Sequence, residues 1–305
     1  MKLAAVHFRP DSTQIIEGTI KKNVLHVQHT TAMRPILSML LNFRDDAIGE
    51  YLKELKENLH YKNAGVYFGL PDDFFKKIDC KEREYVSPDE WDRVVNNWMY
   101  QSLQVEKEDY HIITPLHFVN DNKSIITGIA IRSTYIDAIY HAAIAANIQI
   151  LSIEPSSYAL LRLLNQWDQE YCIMEVWEKS TSLTGYSDIR GMFKINASQG
   201  WSYFLEDSGS SELYATISKH DYTAYTTYKI ANTNIPIYLV SDKKDELRSL
   251  LLKSEIAFRL QEPMIPKDFI TSKITQEELL EYAIPLGLAL APLHERMVEN
   301  ADTDR

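Results

Sequence analysis

The chain has 305 residues, 45% of them hydrophobic and 25% charged, with a formal net charge of −11. That is the composition of a folded soluble protein with two domains or one large one, and its acidic balance, taken over the whole chain, argues against nucleic acid, whose phosphates need clustered Lys and Arg, and against direct binding to anionic lipid. The two cysteines, Cys80 and Cys172, lie far apart with no CxxC, as expected of a reducing compartment without a disulfide. The longest apolar run, Ala283–Leu293, contains two prolines and is too short to span a bilayer. Met1–Pro10 has no sustained apolar stretch, so no signal peptide is expected. Any membrane association is expected to come through a partner.

Leu3–Phe8 reads as a strand, Arg9–Thr13 as a loop, and Gln14–Gly18 and Val24–Thr30 as strands joined through Lys21-Lys22-Asn23. The chain thus opens on a three-stranded meander. Met33–Phe43 and Ala47–Leu59 carry helical periodicity, the second with Leu52, Leu55 and Leu59 inward. Ala64–Leu70 is a strand ended by Pro71. Asp72-Asp73 and Lys76-Lys77 read as a solvated face. Ser87-Pro88-Asp89-Glu90 is a strong helix start, with a cap, a first-turn proline and acids at the positive end. The helix it opens carries Trp91, Val94, Val95, Trp98 and Met99, and Tyr110–Val119 returns as a strand. Residues 72–119 read as a small inserted α+β module.

Ser124–Gln166 is the most legible stretch. Ile125–Ile131 is an apolar strand, Ser133 is placed to cap a helix, and Asn147 is placed to stop it. Ile136, Ile139, Tyr140, Ala143 and Ile144 form that helix's apolar face. Ile148–Ile153 is a second strand, broken by Pro155. Ser156 or Ser157 then caps a helix with Tyr158, Leu161 and Leu164 inward. Strand, helix, strand, helix with short connections predicts parallel pairing and an α/β layer.

The opening pattern then recurs. Cys172–Val176, Ser182–Tyr186 and Met192–Ala197 are strands, with a loop at Trp177–Lys179 and a turn at Asp188–Gly191. Each meander is followed by a late strand, Ala64–Leu70 in the first half and Ile235–Ser241 in the second. A repeat at half-chain spacing predicts two similar domains facing one another. Ser208–Ile230, rich in Tyr, Thr and Ser, gives no clear element. Asp245–Arg259 and Gln276–Leu293 read as helices, and Glu299–Arg305 as a polar tail.

No GxSxG, GxxxxGK[ST] or HExxH occurs, so nucleophilic, P-loop and zincin chemistry have no motif and no catalytic residue is assigned. His26 and His29 lie three apart on a strand, which puts them on opposite faces as exposed histidines rather than as a metal pair. Cys172, in an apolar strand, reads as a buried small hydrophobe. The Trp91 to Met99 stripe reads first as core.

The segment ITGIAIRSTYIDAIYHAAIAANIQILSIEPSSYALLRLL (126–164) resembles a signature of the actin-like PilM proteins of type IV pilus assembly. GVYFGLP (65–71), EWDRVVNNWMYQSL (90–103), YHIITPLHF (110–118) and YAIPLGLALAPL (282–293) support the resemblance, which spans nearly the whole chain. The cytoplasmic domain of the type II secretion L component is also similar. The resemblance implies an α/β fold of the actin/Hsp70/sugar-kinase kind, with two related domains and a small inserted α+β module. Residues 1–71 and 120–168 would form the first domain, 72–119 the insert, and 169–305 the second domain.

The resemblance also implies where a nucleotide would sit, and there the sequence departs from the family. The first loop has His7 and Arg9, with Pro10, Ser12 and Thr13, where the family places Asp and Gly. The second has Glu175 for Asp and Trp177 for Gly, followed by Ser180. Beyond the late strand, Asp242-Lys243 stands where a glycine pair is usual. Proline donates no N–H and the bulky residues crowd a phosphate, so no ATP turnover is expected and no cofactor. ATP with Mg, the metal held by Glu175 through water, is the alternative. A sugar-kinase reading lacks both a catalytic carboxylate and a Gly-rich pocket. By resemblance the partner is the cytoplasmic tail of a PilN-like bitopic inner-membrane protein, in a groove by the insert; the aromatic payload of the insert's helix, not the resemblance, makes Trp91, Val95 and Trp98 the candidate contacts. An assembly ATPase and self-association are further partners the resemblance allows. The chain would then be cytoplasmic, held at the inner face of the membrane by its partner.

Overall fold

The computed structural model describes residues 1–42, 44–78, 83–84, 97, 100–101, 108–120, 123–164, 171–187, 191–206, 211, 213, 215, 217–218, 235–253, 259–261 and 270–293. Strands β1 (Lys2–Phe8), β2 (Thr13–Lys21) and β3 (Val24–Met33) form the antiparallel meander. Lys22 and Asn23 close its second hairpin, both at positive φ (49° and 60°), as a two-residue primed turn requires. β3 continues to Met33, beyond the predicted end, because the β-branched Thr30 and Thr31 keep pairing with β2. Pro35 follows, so the predicted helix over 33–43 shrinks to α1 (Leu37–Leu41). Helix α2 (Asp45–Asn58) turns Ile48, Tyr51, Leu52 and Leu55 inward and places Asp45 and Asp46 at its positive end. β4 (Gly65–Leu70) then pairs parallel with β1.

A single 3-10 turn, Asp72–Phe74, leads to β5 (Phe75–Ile78), β6 (Arg83–Glu84), β7 (Tyr110–Asn120) and β8 (Lys123–Arg132). These four form their own small sheet around β8. The predicted parallel pairing of β8 with the next strand is therefore corrected. β8 forms a hairpin with β7, with Asn120 opposite Lys123, and pairs antiparallel throughout. A tight hairpin outranks a helix crossover as the nearer partner.

Helix α3 (Ser133–Ala145) follows directly. Arg132, not Ser133, holds its cap position, and no side chain caps it; the Ser133 N–H instead donates to the Asp109 carbonyl. The stop at Asn147 is as predicted. At φ 54° it sits in the left-handed region, its N–H on Ile144 O and that of Ile148 on Ala143 O, the paired bonds of a Schellman end. β9 (Gln149–Pro155) pairs parallel with β4, and α4 (Ser156–Leu164) returns over the sheet.

The second half repeats the plan with β10 (Tyr171–Val176), β11 (Thr181–Ser187), β12 (Gly191–Ala197), the short α5 (Trp201–Phe204), β13 (Ile237–Val240), α6 (Lys244–Leu251) and β14 (Leu260–Gln261). Helix α6 is shorter than the predicted 245–259. Its sheet runs β12-β11-β10-β13-β14; the first runs β15-β3-β2-β1-β4-β9. Apart from β15 the two orders match strand for strand, which is the predicted repeat. Cys172 is fully buried, as read; Cys80 lies outside the described residues.

β15 (Ile270–Ser272), α7 (Gln276–Glu281) and α8 (Ala283–Ala289) complete the described chain. The predicted helix over 276–293 is broken at Tyr282, and Thr275 caps α7 by accepting from Glu278 N at 3.3 Å. These residues return to the first half: β15 pairs parallel with β3, and α8 packs on α4 and β1. All seven residues of α8 are buried, as a helix apolar on every side demands. Gly287 allows the approach, since a Cβ there would lie 1.8 Å from the Ala159 carbonyl oxygen. Among the described residues no helix is long and apolar enough to cross a membrane.

Candidate functional site

The carboxyl ends of β1 and β10 face a cavity of about 800 Å³ between the two sheets, in the place where α/β folds hold ligands. Two matching loops close it. In the first, Arg9 N donates to Ser12 O at 2.9 Å; in the second, Trp177 N donates to Ser180 O at the same distance. Pairing of Phe8 with Thr13 and of Val176 with Thr181 makes Arg9 and Trp177 equivalent positions of the repeat.

These equivalents touch. The Arg9 guanidinium lies 4.7 Å from the centre of the Trp177 ring and is held in plane by two hydrogen bonds to Asp11, at 3.0 and 3.1 Å. Both side chains are buried. The backbone N–H groups beside the second loop are committed as well. Trp201 N and Ser202 N donate to the carbonyls of Trp177 and Glu178, at 2.8 and 3.2 Å. Gly200 lets the chain pass that close, because a Cβ would stand 2.1 Å from Trp177 O. Ser12 donates to Asp11, and Asp242 accepts from the Trp201 indole at 3.0 Å. The cavity is walled by five carboxylates, Asp11, Asp242, Asp245, Glu246 and Glu281, against the cations Arg9, Lys244 and Arg248. Among the described residues the cavity lining thus has no glycine and more carboxylates than cations, and Pro10 stands in the first of its two loops.

Below the loops His7 is buried, as is Glu175 at the equivalent position of β10. Ser156 Oγ donates to Leu70 O, so His7 Nε2 carries the proton that bridges to Ser156 at 2.9 Å. Burial drives the His7 pKa down to about 3; Arg9 adds to the fall, and Asp72 and Gln14 oppose it. His7 is thus a neutral imidazole at neutral pH. Glu175 accepts from Ser182 Oγ at 3.2 Å. Thr13 is buried and Ser180 half-buried in their loops.

Asp72 corrects the expectation of a solvated face. It is buried, accepting from Ser157 N at 3.0 Å and Thr184 Oγ1 at 3.4 Å, and so ties the start of α4 to β11 across the two halves. Pro71 before it and the nearby Ser156-Ser157 were the available signals. Gly200, Trp201 and Asp11 also escaped the sequence reading, because their roles arise only when the two loops meet. His26 and His29 are half-buried rather than exposed: His26 bonds Thr271 and His29 stacks on His60. Among the described residues no group of three His, Cys, Asp or Glu is placed to hold a metal. Trp91, Val95 and Trp98 lie outside the described residues.

No family model matches the sequence, and no curated protein does. Among solved structures, a chain of a PilM–PilN type IV pilus biogenesis complex superposes with a TM-score of 0.73 at 14% identity, covering 96% of this chain and 99% of that one. The fold is actin-like, in the form seen in PilM. The cytoplasmic domain of EpsL, an inner-membrane component of the type II secretion system of Vibrio cholerae, follows with TM-score 0.52, 8% identity and 95% of each chain. The ethanolamine utilization protein EutJ from Carboxydothermus hydrogenoformans gives 0.50 at 10% identity, over 95% of this chain and 89% of that one.

Proposed function

We propose that this chain is an actin-like scaffold of a type IV pilus or related secretion platform, which docks the cytoplasmic tail of a PilN-like membrane protein and does not turn over ATP. The likeness to a chain of a PilM–PilN complex over nearly the full length of both supports the partner. The observation that supports the absence of turnover is the contact of Arg9 with Trp177, two bulky side chains that meet between the loops which the resemblance assigns to phosphates. On this reading the chain works in the cytoplasm beneath the inner membrane and passes the position of its partner to other cytoplasmic components.

Isothermal titration of the purified chain with Mg-ATP and with a peptide of the partner's cytoplasmic tail tests both parts. Heat from the peptide and none from millimolar Mg-ATP is expected. A nucleotide signal that Glu175→Ala abolishes would replace the scaffold by an ATP-binding protein. The EpsL likeness favours a second reading, the scaffold of a type II secretion system. Co-purification of a secretion ATPase rather than pilus components would select it.

A further inference from the structure

The net charge of −11 is not spread evenly. The first sheet has two ends, one at the cavity and one a strand length, ~20 Å, away, where β1 and β4 begin and β2 turns into β3. Lys2, Lys21, Lys22, Lys56 and Lys62 gather at this far end, all exposed except the half-buried Lys56. Lys2 lies over the Tyr61 ring at 4.8 Å. Lys56 donates to the carbonyls of Lys62 and Asn147, while Lys62 donates to those of Lys56 and Glu57. Among the described residues none of these five ammonium groups pairs with a carboxylate. Glu17, the nearest buried acid, is taken by His60 and Tyr61: it accepts from both backbone N–H groups and contacts His60 Nδ1 at 2.9 Å. Glu57 meets Lys62 through its carbonyl, not its carboxylate. Burial first and the Lys62 charge second lower the pKa of Lys56, as expected where two cations sit together without a counter-ion.

We infer that this lysine end of the first sheet is a docking face for the anionic headgroups of a lipid bilayer. It goes beyond the scaffold reading and does not rest on it. The charges are lysines without an arginine, flexible point charges suited to a diffuse anionic plane rather than to bidentate recognition of one phosphate. The Tyr61 ring, the surface on which a nucleobase would stack, has a face covered by Lys2. Met1, 53% exposed as a residue, stands beside these lysines and adds an apolar contact that a bilayer accepts. The acidic cavity rim lies at the other end of β1, so the field orients the molecule, with the lysines toward the membrane and the cavity away.

Cosedimentation of the purified chain with phosphatidylcholine vesicles, with and without phosphatidylserine, tests this. Binding to the serine-containing vesicles alone is expected, falling as salt is raised. Lys21→Glu with Lys22→Glu should lower partitioning about tenfold or more. Lys2→Glu with Lys62→Glu, which leaves the hairpin turn untouched, should do the same. Lys179→Glu with Lys253→Glu, the same charge change in the second half, should stay within about twofold of the parent. Equal sedimentation with pure phosphatidylcholine, or equal binding by the three double variants, overturns the inference. So does tighter binding to duplex DNA or polyglutamate than to the anionic vesicles.

Discussion

The two loops at the cavity share a backbone and differ in nearly every side chain. His7-Phe8-Arg9 in the first occupies the positions of Glu175-Val176-Trp177 in the second. One arm places a neutral imidazole below a cation, the other a carboxyl below an indole, and the cation meets the indole across the gap. Strand pairing fixes the course of the hairpins, so the side chains they carry are free to differ. The repeat preserves shape while the chemistry of each copy diverges.

The largest test of this contrast is acid. His7 titrates at about 3 in the fold and near 6.5 in the unfolded chain, which therefore binds a proton the native state refuses. Stability is full above about pH 6.5 and falls as pH drops toward 3, on the order of 4 kcal/mol across that window. Urea midpoints at pH 7 and pH 4 should separate widely in the parent and less in His7→Gln. An unchanged separation would show that the first loop's imidazole is not the group responsible.

Glycine substitutions sharpen the comparison next. Gly287→Ala forces a Cβ into the Ala159 carbonyl between two buried helices and should cost about 3 kcal/mol or more by urea unfolding. Gly200→Ala makes a similar clash with Trp177 O, but beside a four-residue helix that can shift, and about 2 kcal/mol is expected. If the second costs more than the first, the loop at the cavity, not the α8 contact, is the stiffer region.

The smallest effect is the cross-loop contact itself. A double-mutant cycle with Arg9→Ala and Trp177→Ala should give a coupling of about 1 kcal/mol in thermal or urea unfolding. A coupling near zero would mean that the two loops lie side by side without holding one another.

The duplicated meander was legible because each strand announces itself locally, through apolar runs and turn residues such as Lys22-Asn23. Asn147 was legible for the same reason, as a residue that tolerates the left-handed region. What the sequence misplaced depends on partners outside the segment itself, one adjacent in the chain and the others far along it. β8 looks like the first strand of a crossover unit until β7 claims it as a hairpin. Asp72 looks solvated until α4 and β11 arrive on either side. At or beneath the cavity His7, Arg9, Glu175, Trp177 and Asp242 could be picked out through the family resemblance, which marks where the loops fall. The Arg9–Trp177 contact could not, since no local rule relates residues 168 positions apart.

The return of β15 and α8 to the first sheet has a consequence for biosynthesis. An edge strand and a central helix of the first lobe are translated after the second lobe's strands. Until they leave the ribosome, the flank of β3 and the surface that α8 covers stay open. The lobe that begins first therefore finishes last, and a nascent chain stalled before residue 270 would offer chaperones an unfinished apolar sheet.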